Sequence, residues 1–173
     1  DVKHPRLIAH PEVLLSKKYR DVLEIGSLLS EEKLTGFFDL GFSREPVQLT
    51  ERLLFLGEIE RTTDFKAQET LGLVVENGEQ RGDTLLDDSA IVYKSPRGLV
   101  IITGCSHSGI CNIVEYARKV CGDHRVIDIV GGFHLLNPTR EQLQGTIEYL
   151  KAINPETIHA CHCTDLKSKI EMS

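Results

Sequence analysis

Three histidines, His107, His134 and His162, stand 27 and 28 residues apart, and each follows an apolar run of strand type. Neutral imidazole is the commonest protein ligand for zinc, and catalytic zinc sites use about three protein ligands plus a water. Neighbouring strand ends can gather residues that lie far apart along the chain. A metal held there would lower the pKa of a bound water to about 7. Histidines alone do not select zinc over iron or manganese. Any one of the three also reads as a polar residue closing a strand, and it is their equivalent positions that favour ligation. Cys105, two residues before His107, is a further ligand or a polarisable neighbour. Cys161 and Cys163, two apart in an expected strand, share a face opposite His162 and read as packing residues. His10 closes another short strand, where a functional and a plain structural role are equally open.

The loop Gly104-Cys105-Ser106-His107-Ser108-Gly109 lies between an apolar strand pattern and a helical one. Ligands of α/β proteins collect where strands end and helices begin. Backbone amides at a helix start favour an anion, which makes Ser106, Ser108 and Gly109 candidate contacts to a phosphate-bearing molecule. No lysine follows Gly109, so this is not a Walker loop. The chain therefore has a second reading, as a non-catalytic α/β module that binds an anionic small molecule at Gly104–Gly109.

Elements that position these residues follow from periodicity. Leu99-Val100-Ile101-Ile102-Thr103 pairs with Ala90-Ile91-Val92-Tyr93-Lys94 across the turn signal Ser95-Pro96-Arg97-Gly98. Ile110, Ile113, Val114, Ala117, Val120 and Cys121 form one helical stripe that Gly122 stops. Val126–Val130 is a buried strand. Thr139 and Gln142 make a capping box for a helix that buries Leu143, Ile147, Leu150 and Ile153, and the last strand runs from Thr157 to Cys161. Upstream, Arg6–His10 is a strand, and Pro11 opens a helix through about Tyr19. Ser30 caps a short helix ending near Gly36 or Gly41. Val47–Leu49, Leu53–Leu56 and Leu71–Val75 are strands. Gly57–Gln68 and Glu76–Gly82 read as loops, the first as surface or active-site material. Strands alternating with helices in the second half, after a strand-rich middle, predict an α/β arrangement of mixed layers.

The 173 residues suit one domain, spanning 1–173. A net charge of -6, with no lysine- or arginine-rich block, argues against a nucleic-acid or anionic-membrane surface and leaves a small-molecule substrate. The apolar runs are far too short to span a membrane. Five cysteines at irregular spacing do not form a disulfide framework, so a reducing compartment, the cytoplasm, is expected. The sequence begins at Asp1 and its single methionine is Met172, so both ends read as those of a fragment.

Several of these stretches resemble one branch of the metallo-β-lactamase superfamily, the branch similar to the dihydropterin–ribofuranosylaminobenzene phosphate synthases. They are Asp87-Asp88-Ser89-Ala90, the run Gly98–Ile113 with its Gly104–Gly109 loop, Gly131-Gly132-Phe133-His134-Leu135, His162-Cys163-Thr164, Gly57-Glu58-Ile59 and Ile8-Ala9-His10-Pro11. The resemblance implies an αββα sandwich with a metal centre, usually of two metals, at one edge of the paired sheets. It matches His107 to a metal-ligand motif and His162 to the last histidine ligand. His134 becomes a ligand or a substrate contact, and His10 and Glu58 become substrate contacts. Cys105 and Asp88 are the two candidates for the bridging acid. The family's His-x-His-x-Asp-His motif is absent here and would fall upstream of Asp1, so the resemblance implies the C-terminal two-thirds of a member. Such a piece would lack the first strands of one sheet, expose sheet edges and call for a homo-oligomer or a swapped assembly. The activity implied is attack of activated water on an ester or phosphoester, with a pterin- or sugar-phosphate-related substrate.

Overall fold

The computed structural model describes residues 4–20, 22–63 and 70–173. Its centre is a six-stranded sheet built from β5 (Val47–Gln48), β6 (Leu53–Phe55), β9 (Ala90–Ser95), β10 (Gly98–Thr103), β11 (Val126–Gly131) and β12 (Thr157–Ala160), in the order β12-β11-β10-β9-β6-β5. β10, β11 and β12 run parallel, joined by α2 (Ile110–Cys121) and α3 (Arg140–Ile153), while β9, β6 and β5 are antiparallel. This is the mixed α/β arrangement that the alternating pattern predicts.

Strand alternation divides the sheet into two unlike faces. Leu54, Val92, Leu99, Ile101 and Ile129 point one way and join the helix residues Ile110, Ile113, Val114, Ala117, Leu143, Ile147 and Leu150 in one core. Full burial of an aliphatic side chain of this size contributes about 1.5–3 kcal/mol, so the α2 stripe alone fixes that helix to the sheet. Gly122, at φ 63°, ends α2 and returns its N–H to the carbonyls of Arg118 and Lys119. The Thr139 hydroxyl accepts from the amide of Gln142 at the start of α3. On the other face, the pairing register aligns Val47, Phe55, Ile91, Ile102 and Val130 in one row across five strands. Ile91 and Ile102 are 37% and 45% exposed there.

Two smaller sheets complete the chain. β1 (Arg6–Ala9) pairs in parallel with β4 (Asp39–Phe42), beyond the short helix α1 (Glu31–Thr35) capped by Ser30. β2 (Ser16–Tyr19), β3 (Leu23–Glu24), β7 (Gly72–Glu76) and β8 (Glu79–Asp83) form an antiparallel sheet in the order β3-β2-β7-β8. α4 (Leu166–Met172) closes the chain. No helix among the described residues is long and apolar enough to cross a membrane.

Three local expectations change. The helix read from Pro11 to about Tyr19 is a 3-10 turn over Pro11–Leu14 followed by β2, whose residues pair with β7. Long-range pairing outweighs the local signal because Lys17 turns inward to the carboxylates of Asp83 and Asp87. Glu76–Gly82, read as a loop, is the β7–β8 hairpin. Asn77 and Gly78 carry the two positive φ angles, 53° and 84°, that a tight hairpin turn requires. Within Gly57–Gln68, Ile59 is 4% exposed and belongs to the core, so this stretch is not plain surface, and residues 64–68 lie outside the described part.

Candidate metal centre at the strand ends

The carboxyl ends of β10, β11 and β12 lie side by side, and backbone contacts lock them. Gly132 donates to the carbonyl of Gly104 at 2.7 Å, Cys161 to that of Gly131 at 2.7 Å, and Leu135 to that of Cys163 at 2.8 Å. Gly132 is required by this approach. A Cβ there would sit 2.6 Å from the His162 carbonyl oxygen, 2.7 Å from that of Gly104 and 2.7 Å from Cys163 Sγ. One non-glycine residue on each strand end adopts left-handed backbone: Ser106 at φ 61°, His134 at 50° and Cys163 at 43°. Each such residue costs on the order of 1–3 kcal/mol, strain that the surrounding hydrogen bonds must hold.

β12 ends at Ala160, so Cys161-His162-Cys163 is a turn and not the continuation of a strand. The strand alternation that put both cysteines opposite His162 therefore does not operate. Cys161 points away, its thiol donating to the carbonyl of His159. Cys163 turns towards the β10 loop, where its thiol donates to the Cys105 carbonyl at 3.3 Å. The ligand atoms of Cys105, His162 and Cys163 all lie within 4.8 Å of one another. Burial pushes the Cys105 thiol up to about 11, and the neighbouring Cys163 and the Asp88 carboxylate act in the same direction. A nearby cation would reverse that balance by stabilising thiolate. Two thiols and an imidazole are the donors that zinc and related borderline metals take, so this cluster fits a metal of that class.

The rings of His107 and His134 form a second pair, 4.2 Å between centroids and tilted by 51°. The structure thus places the five expected donors in three settings: His162 with Cys105, His107 with His134, and Asp88 beside the loop. Asp88 accepts the amide of Ser108 at 2.8 Å and fixes the loop ahead of α2. Ser106 and Ser108 are 0% and 1% exposed. The Ser106 hydroxyl donates to the Gly132 carbonyl at 2.5 Å, and the Gly109 amide is taken by the Ser106 carbonyl. These groups build the loop from within, so the Ser108 and Gly109 amides are not presented to an anion.

His10 and Glu58 meet although 48 residues separate them. The buried His10 Nδ1 accepts from the amide of Glu12, which leaves the neutral ring's proton on Nε2 to donate to Glu58 at 3.2 Å. Arg44 donates to both Glu58 and Glu12. Burial raises the Glu58 pKa, but Arg44 and then His10 outweigh it and hold the carboxyl below its ordinary value. A cavity of about 520 Å³ runs from His10 to the end of β10, lined by His10, Phe55, Asp88, Ile91, Ile102 and Gly104 among others. Sequence reasoning missed Cys163 as a member of the cluster. The available signal was the His162-Cys163-Thr164 stretch, whose turn geometry only the fold reveals.

Comparison with known proteins agrees with this architecture. The crystal structure of Tm1679, a metal-dependent hydrolase of the β-lactamase superfamily, superposes with a TM-score of 0.83 at 26% identity, over 99% of this chain and 64% of that one. A 7,8-dihydropterin-6-methyl-4-(β-D-ribofuranosyl)-aminobenzene-5'-phosphate synthase of Methanocaldococcus jannaschii is 36% identical over 141 residues, 80% of this chain and 47% of the synthase. An uncharacterised protein of the same archaeon is 29% identical over 174 residues, 100% of this chain and 64% of that protein. The chain thus spans about half to two-thirds of the length of these relatives. No family model matches it.

Proposed function

We propose that this chain, whose fold matches that of a metal-dependent hydrolase of the β-lactamase superfamily and whose sequence resembles the synthase, uses its strand ends as part of a metal centre that activates water against an ester or phosphoester. The observation that carries this reading is the convergence of Cys105, His162 and Cys163 beyond the ends of β10 and β12, the two strands that flank β11. A divalent ion held there, zinc in our reading, would supply Lewis-acid activation of water and of a substrate oxygen. His162 and Cys105 are the protein groups that hold it. The His107 and His134 pair offers imidazole nitrogens beside it, to a second ion or to the substrate. Asp88 keeps the β10 loop in place through the Ser108 amide, and the adjoining cavity receives the organic part of the substrate, with His10 on one wall and Glu58 hydrogen-bonded behind it. A phosphorylated pterin or sugar-phosphate compound is the substrate class we favour, by analogy with the dihydropterin–ribofuranosylaminobenzene phosphate synthase. The transformation is hydrolysis or a related transfer.

In this reading the protein works in a reducing compartment, the cytoplasm, where its five free cysteines persist. A second copy, plain or swapped, covers the outer sheet strands. The purified protein should carry close to one equivalent of transition metal or more, and should hydrolyse an activated phosphodiester slowly. His162→Ala is expected to weaken metal binding by roughly 10-fold or more. Full metal occupancy in both His107→Ala and His162→Ala would overturn the ligand assignment.

A further inference from the structure

We propose that Cys163 is itself a metal ligand, so that Cys105, Cys163 and His162 make a two-thiolate, one-imidazole site that selects zinc-class ions over manganese or magnesium. This rests on the reading of the strand ends as a metal centre and names which metals that centre accepts. Three observations carry it. Cys163 has left-handed backbone, at φ 43°, in a turn that begins after β12, and this swings its side chain towards the β10 loop. Its sulfur is set against Gly132, where a Cβ would come within 2.7 Å, and against the Cys105 carbonyl at 3.3 Å. Its sulfur, the Cys105 sulfur and a His162 nitrogen lie mutually within 4.8 Å. A cysteine kept for packing looks different in this same protein: Cys111 is 1% exposed among the aliphatic residues under α2. Cys163 is half-buried, next to polar backbone and a second thiol.

Soft thiolate donors favour zinc and its relatives, whereas manganese and magnesium favour carboxylate and water oxygens. Binding replaces two S–H bonds by two metal–sulfur bonds, and the two protons leave to solvent. The His162 nitrogen donates as a neutral base.

Cobalt(II) serves as the probe, because thiolate ligation gives it a charge-transfer absorption. The protein loaded with cobalt should show that band, about half of it should be lost in Cys163→Ser and in Cys105→Ser, and all of it should remain in Cys161→Ser. Zinc should displace the cobalt, while a large excess of manganese should not. Metal binding should also release about two protons from the parent and about one from Cys163→Ser. A variant-free arm covers misfolding: bound zinc should protect Cys105 and Cys163, but not Cys161, from alkylation read by peptide mass. A full band in Cys163→Ser, an unprotected Cys163, or easy displacement by manganese overturns the inference and leaves the metal centre standing. Failure of the parent to bind cobalt or zinc overturns the centre and the inference together.

Discussion

Gly132 carries a close approach between the β10 loop and the turn after β12. A methyl group there would meet two carbonyl oxygens at 2.6 and 2.7 Å, and backbone oxygens held by hydrogen bonds cannot step aside as a flexible side chain would. Gly132→Ala should therefore cost about 1–3 kcal/mol in thermal or denaturant unfolding and weaken cobalt binding, by parting the Gly104 loop from the 161–163 turn. Gly104 is the matched control. Nothing lies within 4 Å of a Cβ placed on it, so Gly104→Ala should change stability by under about 0.5 kcal/mol. Equal losses at the two glycines would remove the steric argument. His10 makes the same point about positions: the sequence places it at a strand end, but its partner Glu58 lies 48 residues away, and its Nε2 proton follows from the Glu12 amide on Nδ1.

At the scale of elements, Glu12 ties together parts that pair poorly on their own. It sits in the 3-10 turn after β1, is 3% exposed, and receives Arg44 from the β4–β5 connection at 2.9 Å and Arg81 from β8 at 2.7 Å. Burial raises its pKa, but the hydrogen bonds from Arg44 and Arg81 outweigh that and leave the carboxyl below its ordinary 4.5. A carboxyl depressed in the folded state stabilises the fold fully above its unfolded pKa, and that contribution fades as pH falls through the folded value. Denaturant unfolding should thus show stability declining below about pH 4.5, and Glu12→Gln should flatten that part of the profile. At neutral pH the same substitution should cost roughly 1–3 kcal/mol. That is less than for a fully buried pair, because both arginines are more than a third exposed. A parallel acid profile in Glu12→Gln would assign the acid sensitivity to other carboxyls.

Over the whole molecule the asymmetry of the six-stranded sheet is the dominant feature. Its helix-covered face holds the core, while the opposite face shows the row Val47, Phe55, Ile91, Ile102 and Val130, with the 520 Å³ cavity against part of it. An apolar sheet face of this kind binds hydrophobic dyes such as ANS. Ile91→Thr with Ile102→Thr should reduce that fluorescence severalfold and leave the unfolding midpoint nearly unchanged, since both side chains are already more than a third exposed. A large loss of stability instead would mean that the row is packed in solution.

The sequence by itself determined the elements that depend on local periodicity and punctuation. Examples are the α2 stripe stopped by Gly122, the Thr139 cap of α3, the Pro96–Arg97 turn between β9 and β10, and the three strand ends that carry histidines. These are legible because a 3.6- or 2-residue period and a capping group act over a few residues. It also carried the motif resemblance that pointed to the superfamily. Only the tertiary structure decided that Ser16–Tyr19 is a strand, since its partner β7 lies more than 50 residues away, and that β12 stops at Ala160. That one-turn difference matters most. A strand would hold Cys163 on the face away from His162, whereas a turn with left-handed backbone brings its sulfur to Cys105. No local pattern encodes this, because it is set by how closely Gly132 lets two strand ends approach.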